Sequence, residues 1–287
     1  MHRDRLMKIR NFRHIIQACF AALSNGYISG FVHGKIYTGN TKYLCNPGMN
    51  CYSCPGALTS CPIGSLQAVL NSRNYKYSLY AVGFIFIFGS LLGRLTCGFL
   101  CPFGFIQDLI YKISFIKKIR SLPAEKFLRK IKYIFLFVMV ILLPLTITDK
   151  TGLGLPFFCK YICPVGTLEG GIPLILLNKT LQSAALFLFK WKFAILIAIL
   201  MSSVIVYRPF CRYFCPLGAI YGFFNRFSIY RYKIDKTSCT NCGTCQKKCK
   251  FNIEIYKTPN SADCIRCGEC IKACPKNCIK IKGLKEN

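Results

Sequence analysis

The sequence predicts a mostly α-helical membrane protein with four transmembrane helices, followed by a small cysteine-rich α+β domain. The mean hydropathy of +0.37 is high for a soluble protein. The chain has 287 residues, of which 53% are apolar, and this length allows two domains. A Cys-Pro-x-Gly motif also recurs after successive apolar runs, as expected for a repeated helical unit.

The Cys-Pro-x-Gly motif occurs four times. In three copies a second cysteine precedes the first by four positions, which gives the pairs Cys97/Cys101, Cys159/Cys163 and Cys211/Cys215. In the copy at Cys61, the partner is displaced to Cys54 or Cys51. Cysteines four apart share one face of a helical turn, and the proline favours the start of the next helix. Each pair is therefore suited to hold an anionic metal centre at a positive helix end.

Four apolar runs are long enough to cross most of a hydrocarbon core of about 30 Å. They are Ile15–Val32, Tyr77–Gly93, Ile131–Thr148 and Trp191–Tyr207. Segments 1–13, 94–132 and 208–287 hold 30 of the 39 Lys and Arg residues. The positive-inside rule therefore predicts a multi-pass protein of the cytoplasmic membrane with both termini cytoplasmic. The basic residues flanking the spans are expected to face lipid headgroups, and nucleic acid is not expected as a partner.

This topology divides the motif cysteines into two sets of four, and four thiolates are the usual complement of one iron–sulfur cluster. The cytoplasmic-face set is Cys97, Cys101, Cys211 and Cys215. The outer-face set is Cys54, Cys61, Cys159 and Cys163, with Cys51 as the substitute for Cys54. The two sets are expected near opposite ends of the membrane core unless the motifs dip inward. Disulfides at the outer set are the alternative.

Residues 1–231 form the predicted transmembrane domain, and residues 232–287 contain two Cys-x2-Cys-x2-Cys-x3-Cys runs. This is the spacing of bacterial two-cluster ferredoxins, in which the fourth cysteine of each run ligates the other cluster. The predicted ligands of cluster 1 are Cys239, Cys242, Cys245 and Cys274. Those of cluster 2 are Cys264, Cys267, Cys270 and Cys249. Structural zinc does not require such triplets, so an α+β domain with two [4Fe–4S] clusters is favoured.

The four spans, the Cys-x3-Cys-Pro motifs and the terminal cluster domain together resemble the NapH-type membrane iron–sulfur proteins, whose relatives include the CcoG type. The pairs at 97/101 and 211/215 match the motif pairs of this polyferredoxin-like family, and the eight C-terminal cysteines match its cluster domain. The resemblance implies electron transfer at a membrane. The outer-set cysteines depart from the family pattern and indicate an extra redox centre, so one or two [4Fe–4S] clusters are expected at the motifs.

The sequence contains no nucleotide-binding glycine fingerprint, no nucleophile with a base and no paired carboxylates. An electron-transfer component of an oxidoreductase is therefore favoured over a stand-alone enzyme. Residues 208–287 hold 16 basic and 5 acidic side chains, which suits docking of an acidic ferredoxin or flavodoxin on the cytoplasmic side. A further redox partner is expected in the membrane or outside it. The alternatives are a factor that reduces or delivers a metal during metalloenzyme assembly, and a membrane redox sensor.

Overall fold

The structure is a computed structural model that describes residues 2–70, 75–113, 117–147, 155–178, 182 and 186–282. Residue 148 of the third predicted span and residues 283–287 of the predicted C-terminal domain lie outside these ranges. The helices before residue 148 are α1 (His2–Ser24), α2 (Ile28–His33), α3 (Pro62–Val69), α4 (Tyr75–Leu92), α5 (Leu95–Phe99), α6 (Pro102–Tyr111), α7 (Glu125–Ile134) and α8 (Leu143–Thr146). The helices after residue 154 are α9 (Ile172–Leu177), α10 (Leu186–Ile205), α11 (Pro209–Tyr213), α12 (Pro216–Phe224), α13 (Thr244–Lys248) and α14 (Glu269–Ala273).

The first predicted span, residues 15–32, is wrong as a continuous helix, because α1 ends at Ser24 and α2 begins only at Ile28. The side chains of Ser24 and Asn25 both donate to the carbonyl of Ala21 and so compete with the backbone for it. The backbone then leaves the helix, and Tyr27 donates its amide to the carbonyl of Gly56. After this break in the helix, the chain enters the loop that carries Cys45, Cys51 and Cys54.

The other three predicted spans coincide with helical segments of different character. The second lies in α4, and the third runs from α7 through a π-helical segment, Phe135–Leu142, into α8. The fourth lies in α10. Within the described residues, one helix is long and apolar enough to cross a membrane, at Phe187–Ile205. Two shorter apolar helices lie at Leu79–Leu92 and Gly166–Leu177.

Short helices that start directly after a motif cysteine fold back along the long helices. Helix α3 packs against α4, and α6 packs against α10. The rings of Tyr111, at the end of α6, and Tyr207, just after α10, are 5.1 Å apart. Helix α6 has 10 residues and is about 15 Å long. Its first turn, next to Cys101, therefore lies inside the bundle instead of at its end.

The C-terminal domain contains an antiparallel pair of strands, β1 (Arg231–Ile234) and β2 (Ile279–Lys282), together with α13 and α14. Both helices begin after a glycine with positive φ, at Gly243 and Gly268. The domain packs directly on the helical bundle. A Cβ atom at Gly98 would lie only 2.5 Å from the carbonyl oxygen of Ile265, so only glycine allows this approach.

Candidate cluster-binding sites

The first site, here called the inner site, is formed by the four cysteines that the sequence assigns to the cytoplasmic face. All four are at most 7% exposed: Cys97, Cys101, Cys211 and Cys215. Burial raises the pKa of the Cys215 thiol, and the neighbouring thiols of the other three raise it further. The structure therefore brings the predicted set together in one buried place, where unpaired thiolates would be costly and a metal centre would stabilise them.

Amide groups point at the sulfur atoms of the inner site. The backbone amides of Gly104 and Gly218 donate to Cys101 Sγ and Cys215 Sγ, over 3.4 and 3.3 Å. These contacts arise because the Cys-Pro sequence starts a helix whose first amides lack backbone partners. The side-chain amide of Gln107 donates to Cys211 Sγ over 3.3 Å. Donors of this kind favour the deprotonated sulfur that a cluster ligand requires.

Two arginines, Arg94 and Arg208, surround the inner site with reciprocal contacts. Each is fully buried and stands three residues before the first cysteine of its motif. Arg94 Nη2 donates to the carbonyl oxygen of Cys211 over 2.9 Å, and Arg208 Nη1 donates to that of Cys97 over 2.6 Å. Sequence reasoning missed these residues. Extending the repeat three positions upstream, to Arg-x2-Cys-x3-Cys-Pro-x-Gly, would have found both.

Asp108 holds Arg208 in place. It accepts hydrogen bonds from Arg208 Nε and Nη2, over 2.7 and 2.6 Å, and another from Arg13 Nη2 over 2.7 Å. Burial alone would raise the pKa of Asp108, but Arg208 and Arg13 lower it to about 2. Two guanidinium groups facing one carboxylate leave a net positive charge beside the inner site, which suits an anionic cluster.

The second site, here called the outer site, surrounds a cavity of about 350 Å³ that is lined by Cys51, Cys61, Cys159 and Cys163. Burial raises the pKa of Cys159, and the thiols of the other three raise it further. Cys54 does not line this cavity; Glu169 and Lys42 are the charged groups closest to it. The structure thus places Cys51 where the sequence reasoning preferred Cys54, because the 51–54 turn directs Cys54 toward residues 56 and 57.

The outer site repeats the contacts of the inner site with different polar groups. Gln67, six residues after Cys61, donates to Cys159 Sγ over 3.2 Å, just as Gln107, six residues after Cys101, donates to Cys211. At the equivalent position after Cys163, Glu169 accepts the backbone amide of Cys51 over 2.7 Å. The two glutamines were also missed, although a Cys-Pro-x-Gly-x2-Gln pattern marks them.

The inner and outer sites are adjacent. Burial raises the pKa of the Cys101 and Cys61 thiols, and the backbone amides of two consecutive residues beside them, Met49 and Asn50, lower it. Gly48 allows this approach, because a Cβ atom there would lie 2.8 Å from Cys101 Cα. Of the two arrangements left open by the sequence, the structure fits the one in which the motifs dip inward, and not the one in which the two sets lie near opposite ends of the core. The loop that carries Cys51 and the short helices after the motif cysteines all reach into the bundle.

In the C-terminal domain, the eight cysteines line two separate cavities with the membership that the spacing predicts. Cys239, Cys242, Cys245 and Cys274 line one, and Cys249, Cys264, Cys267 and Cys270 line the other. Cys278 also lines the first cavity, where its sulfur lies 3.3 Å from that of Cys274. The second cavity faces the bundle, since Tyr207 forms part of its wall.

Contacts next to the cysteines join the second ferredoxin cavity to the inner site. Ile265, which follows Cys264, packs on Gly98, which follows Cys97. Asn225 Nδ2 donates to the carbonyl of Cys264 over 2.8 Å. Arg94 joins both sides, because its Nη1 donates to the carbonyl of Ala262 over 3.0 Å.

The chemistry of these sites fits iron–sulfur clusters. The cysteines of the outer site and of the two ferredoxin sites line cavities instead of converging on a point. The described residues include no group of three Cys, His, Asp or Glu side chains placed to hold a single ion. Arg94 Nε is buried without a hydrogen-bond partner among the described atoms beside the inner site. Such a donor, together with the amides aimed at sulfur, matches an anionic group held by four thiolates.

Family models for 4Fe–4S binding domains match the chain in both regions. One matches residues 76–123, 133–175 and 190–235, and each of these segments contains one Cys-x3-Cys-Pro motif. Another matches residues 258–280, around the second C-terminal cysteine run. The repeat found in the sequence is therefore also a repeat of a known domain.

Several curated proteins are similar to this chain. An uncharacterised protein of Methanocaldococcus jannaschii is 34% identical over 58% of this chain and 62% of its own length. The methylamine utilization ferredoxin-type protein MauN of Paracoccus denitrificans is 27% identical over 55% of this chain and 48% of its own. The regulatory protein NosR of Stutzerimonas stutzeri is 29% identical over 56% of this chain and 20% of its own length.

The matched part of this chain spans roughly half to three fifths of the length of its curated relatives from Methanocaldococcus jannaschii and of MauN. No solved structure matches it. The family models cover three of the motif repeats and the second C-terminal cysteine run. The chain contains 4Fe–4S binding domains and is homologous to ferredoxin-type electron-transport proteins.

Proposed function

We propose that this protein is a membrane-bound electron conduit with four [4Fe–4S] clusters. Electrons would pass along the protein through ferredoxin cluster 1, ferredoxin cluster 2, the inner site and the outer site, in this order or its reverse. One observation carries the proposal: successive sites touch through residues next to their cysteines, by the packing of Ile265 on Gly98 and by the consecutive amides of Met49 and Asn50. The clusters would supply one-electron chemistry, and the chain supplies their order, spacing and charge.

The electrostatics of the two bundle sites support different tasks. The inner site is buried and flanked by Arg94 and Arg208, whose charge favours the more negative, reduced state of a cluster. The outer site has a buried carboxyl group nearby, Glu169, and a cavity of about 350 Å³. We infer that the outer site is the terminus at which electrons leave to, or arrive from, a redox partner.

At the other terminus, Cys242 is exposed and the surrounding domain is basic. An acidic ferredoxin or flavodoxin of the cytoplasm is the partner that this charge favours. We place the chain in the cytoplasmic membrane with four spans and both termini inside, as the resemblance to the NapH-type proteins implies. In this arrangement the first span is discontinuous, because the chain leaves the helix between Ser24 and Ile28. The distribution of Lys and Arg along the sequence supports this orientation.

The test is the iron and acid-labile sulfide content of the full chain, purified without oxygen. Four clusters require about 16 iron atoms per chain. Cys97→Ser and Cys211→Ser are each expected to remove the same EPR signal and leave the outer centre intact. About eight iron atoms, with none lost in either variant, would show that only the ferredoxin domain holds clusters.

A matched pair of variants tests the outer site. We expect Cys51→Ser to lose the outer-site signal, whereas Cys54→Ser retains it, because only Cys51 lines the cavity. Loss in Cys54→Ser with retention in Cys51→Ser would contradict the assignment. Exchangeable copper at this site would instead favour a metal-handling role.

A further inference from the structure

Tyr221 is a buried polar residue that neither cysteine set accounts for. Its side chain is 0% exposed, and its hydroxyl group has no hydrogen-bond partner among the described residues. A buried hydroxyl group left without a partner is costly, and natural proteins rarely retain one without a reason. The position of Tyr221 suggests what that reason is.

Tyr221 lies between the inner and outer sites. Its helix, α12, begins after Cys215 and packs against both α3, which begins after Cys61, and α4. Burial raises the pKa of Tyr221, and the thiol groups of Cys97, in the inner site, and Cys61, in the outer site, raise it further.

The repeat gives this position a specific meaning. Tyr221 is six residues after Cys215, just as Gln107 is six residues after Cys101 and Gln67 is six after Cys61. Each glutamine donates a hydrogen bond to the first cysteine of another motif copy. If Tyr221 follows the same rule, its hydroxyl group points toward Cys97, the first cysteine of the other motif copy in the inner site.

We propose that Tyr221 is a positioning residue that donates a hydrogen bond to a sulfur atom of the inner centre and thereby sets its reduction potential relative to the outer centre. The proposal rests on the proposed function, which places a cluster at the inner site. Hydrogen bonds to cluster sulfur atoms help to determine reduction potential, because a donor stabilises the added negative charge of the reduced state.

The variant Tyr221→Phe removes the hydroxyl group and keeps the ring. In the purified full chain, we expect unchanged iron content and a lower potential for the inner-site EPR signal in a redox titration. The potentials of the two ferredoxin centres should stay the same. Tyr232→Phe is the matched control, since Tyr232 is a buried tyrosine that lines the second ferredoxin cavity. It should leave the inner-site potential unchanged.

A measurement on the unaltered protein tests the same contact if the variant fails to fold. When the protein carries tyrosine deuterated on the ring carbons beside the hydroxyl group and is measured in H₂O, those deuterons should give a hyperfine coupling in the ENDOR spectrum of the inner centre. A fully loaded inner centre without such a coupling, or with the same potential in Tyr221→Phe, would overturn the role of Tyr221 alone. Absence of iron from the inner site in the unaltered protein would overturn the proposed function.

Discussion

Replacing Asp263 by asparagine should release the ferredoxin domain from the bundle. The Asp263 carboxylate accepts from Lys132 Nζ and, over 3.0 Å, from Arg129 Nη1, and its Oδ1 lies 3.6 Å from Arg94 Nη1. The side chains of Lys132 and Arg94 are 1% and 0% exposed. Asp263→Asn would leave these cations buried without a counter-charge.

The size of the effect follows from the carboxyl group's own acidity. Burial alone would raise the pKa of Asp263, but Lys132 and Arg94 lower it from 3.8 to about 2. One pKa step corresponds to about 1.4 kcal/mol, so the carboxylate stabilises the docked state by about 2–3 kcal/mol. Because the pKa is lower when docked, this contribution is present above about pH 4 and is lost as the pH falls toward 2. Between pH 7 and pH 5 it should be nearly constant.

The assay is hydrogen exchange of the full chain in detergent, followed by mass spectrometry of the segments around Gly98 and Ile265. We expect Asp263→Asn to accelerate exchange there by about 30- to 140-fold, the equivalent of 2–3 kcal/mol. Glu254→Gln is the control, since its partner Lys257 is 62% exposed and such a surface pair contributes less than about 1 kcal/mol. Acceleration below threefold in Asp263→Asn, or an equal effect in both variants, would refute the reasoning.

Three further predictions address docking, charge and topology. Gly98→Ala should separate the domains and accelerate exchange at their interface, because its Cβ atom would overlap the Ile265 carbonyl; Gly83→Ala, which has open space, should not. Arg208→Gln should lower the inner-site potential in an EPR titration and destabilise the bundle by about 3–5 kcal/mol; an unchanged potential would exclude its electrostatic role. A periplasm-active reporter fused to the C-terminus should remain inactive, and activity would contradict the cytoplasmic orientation.

The sequence allowed the cysteine sets to be predicted better than their placement. Local sequence explains only the three closely spaced cysteines of each ferredoxin run, which a short turn can bring together. The exchange of Cys249 and Cys274 between the two sets was predicted from the known pattern of two-cluster ferredoxins. The structure gathers both sets around their cavities in this way.

The position of the bundle sites could not be predicted in the same way. Hydropathy reports whether a segment is apolar, but not whether its neighbours fold back along it. The return of α6 along α10 and the insertion of residues 48–50 beside Cys101 are determined by tertiary packing, so hydropathy could not predict them. The choice between Cys51 and Cys54 depended on a turn whose direction the residue spacing does not determine.

The paired amides of Met49 and Asn50 have a thermodynamic consequence. They belong to one short stretch of backbone beside the Cys101 and Cys61 thiols, and each lowers the pKa of one of them. In the proposed conduit, a change of charge at either centre would therefore act on backbone that also faces the other centre. An electron added to one centre would lower the electron affinity of its neighbour, and by reciprocity the factor would be the same in both directions.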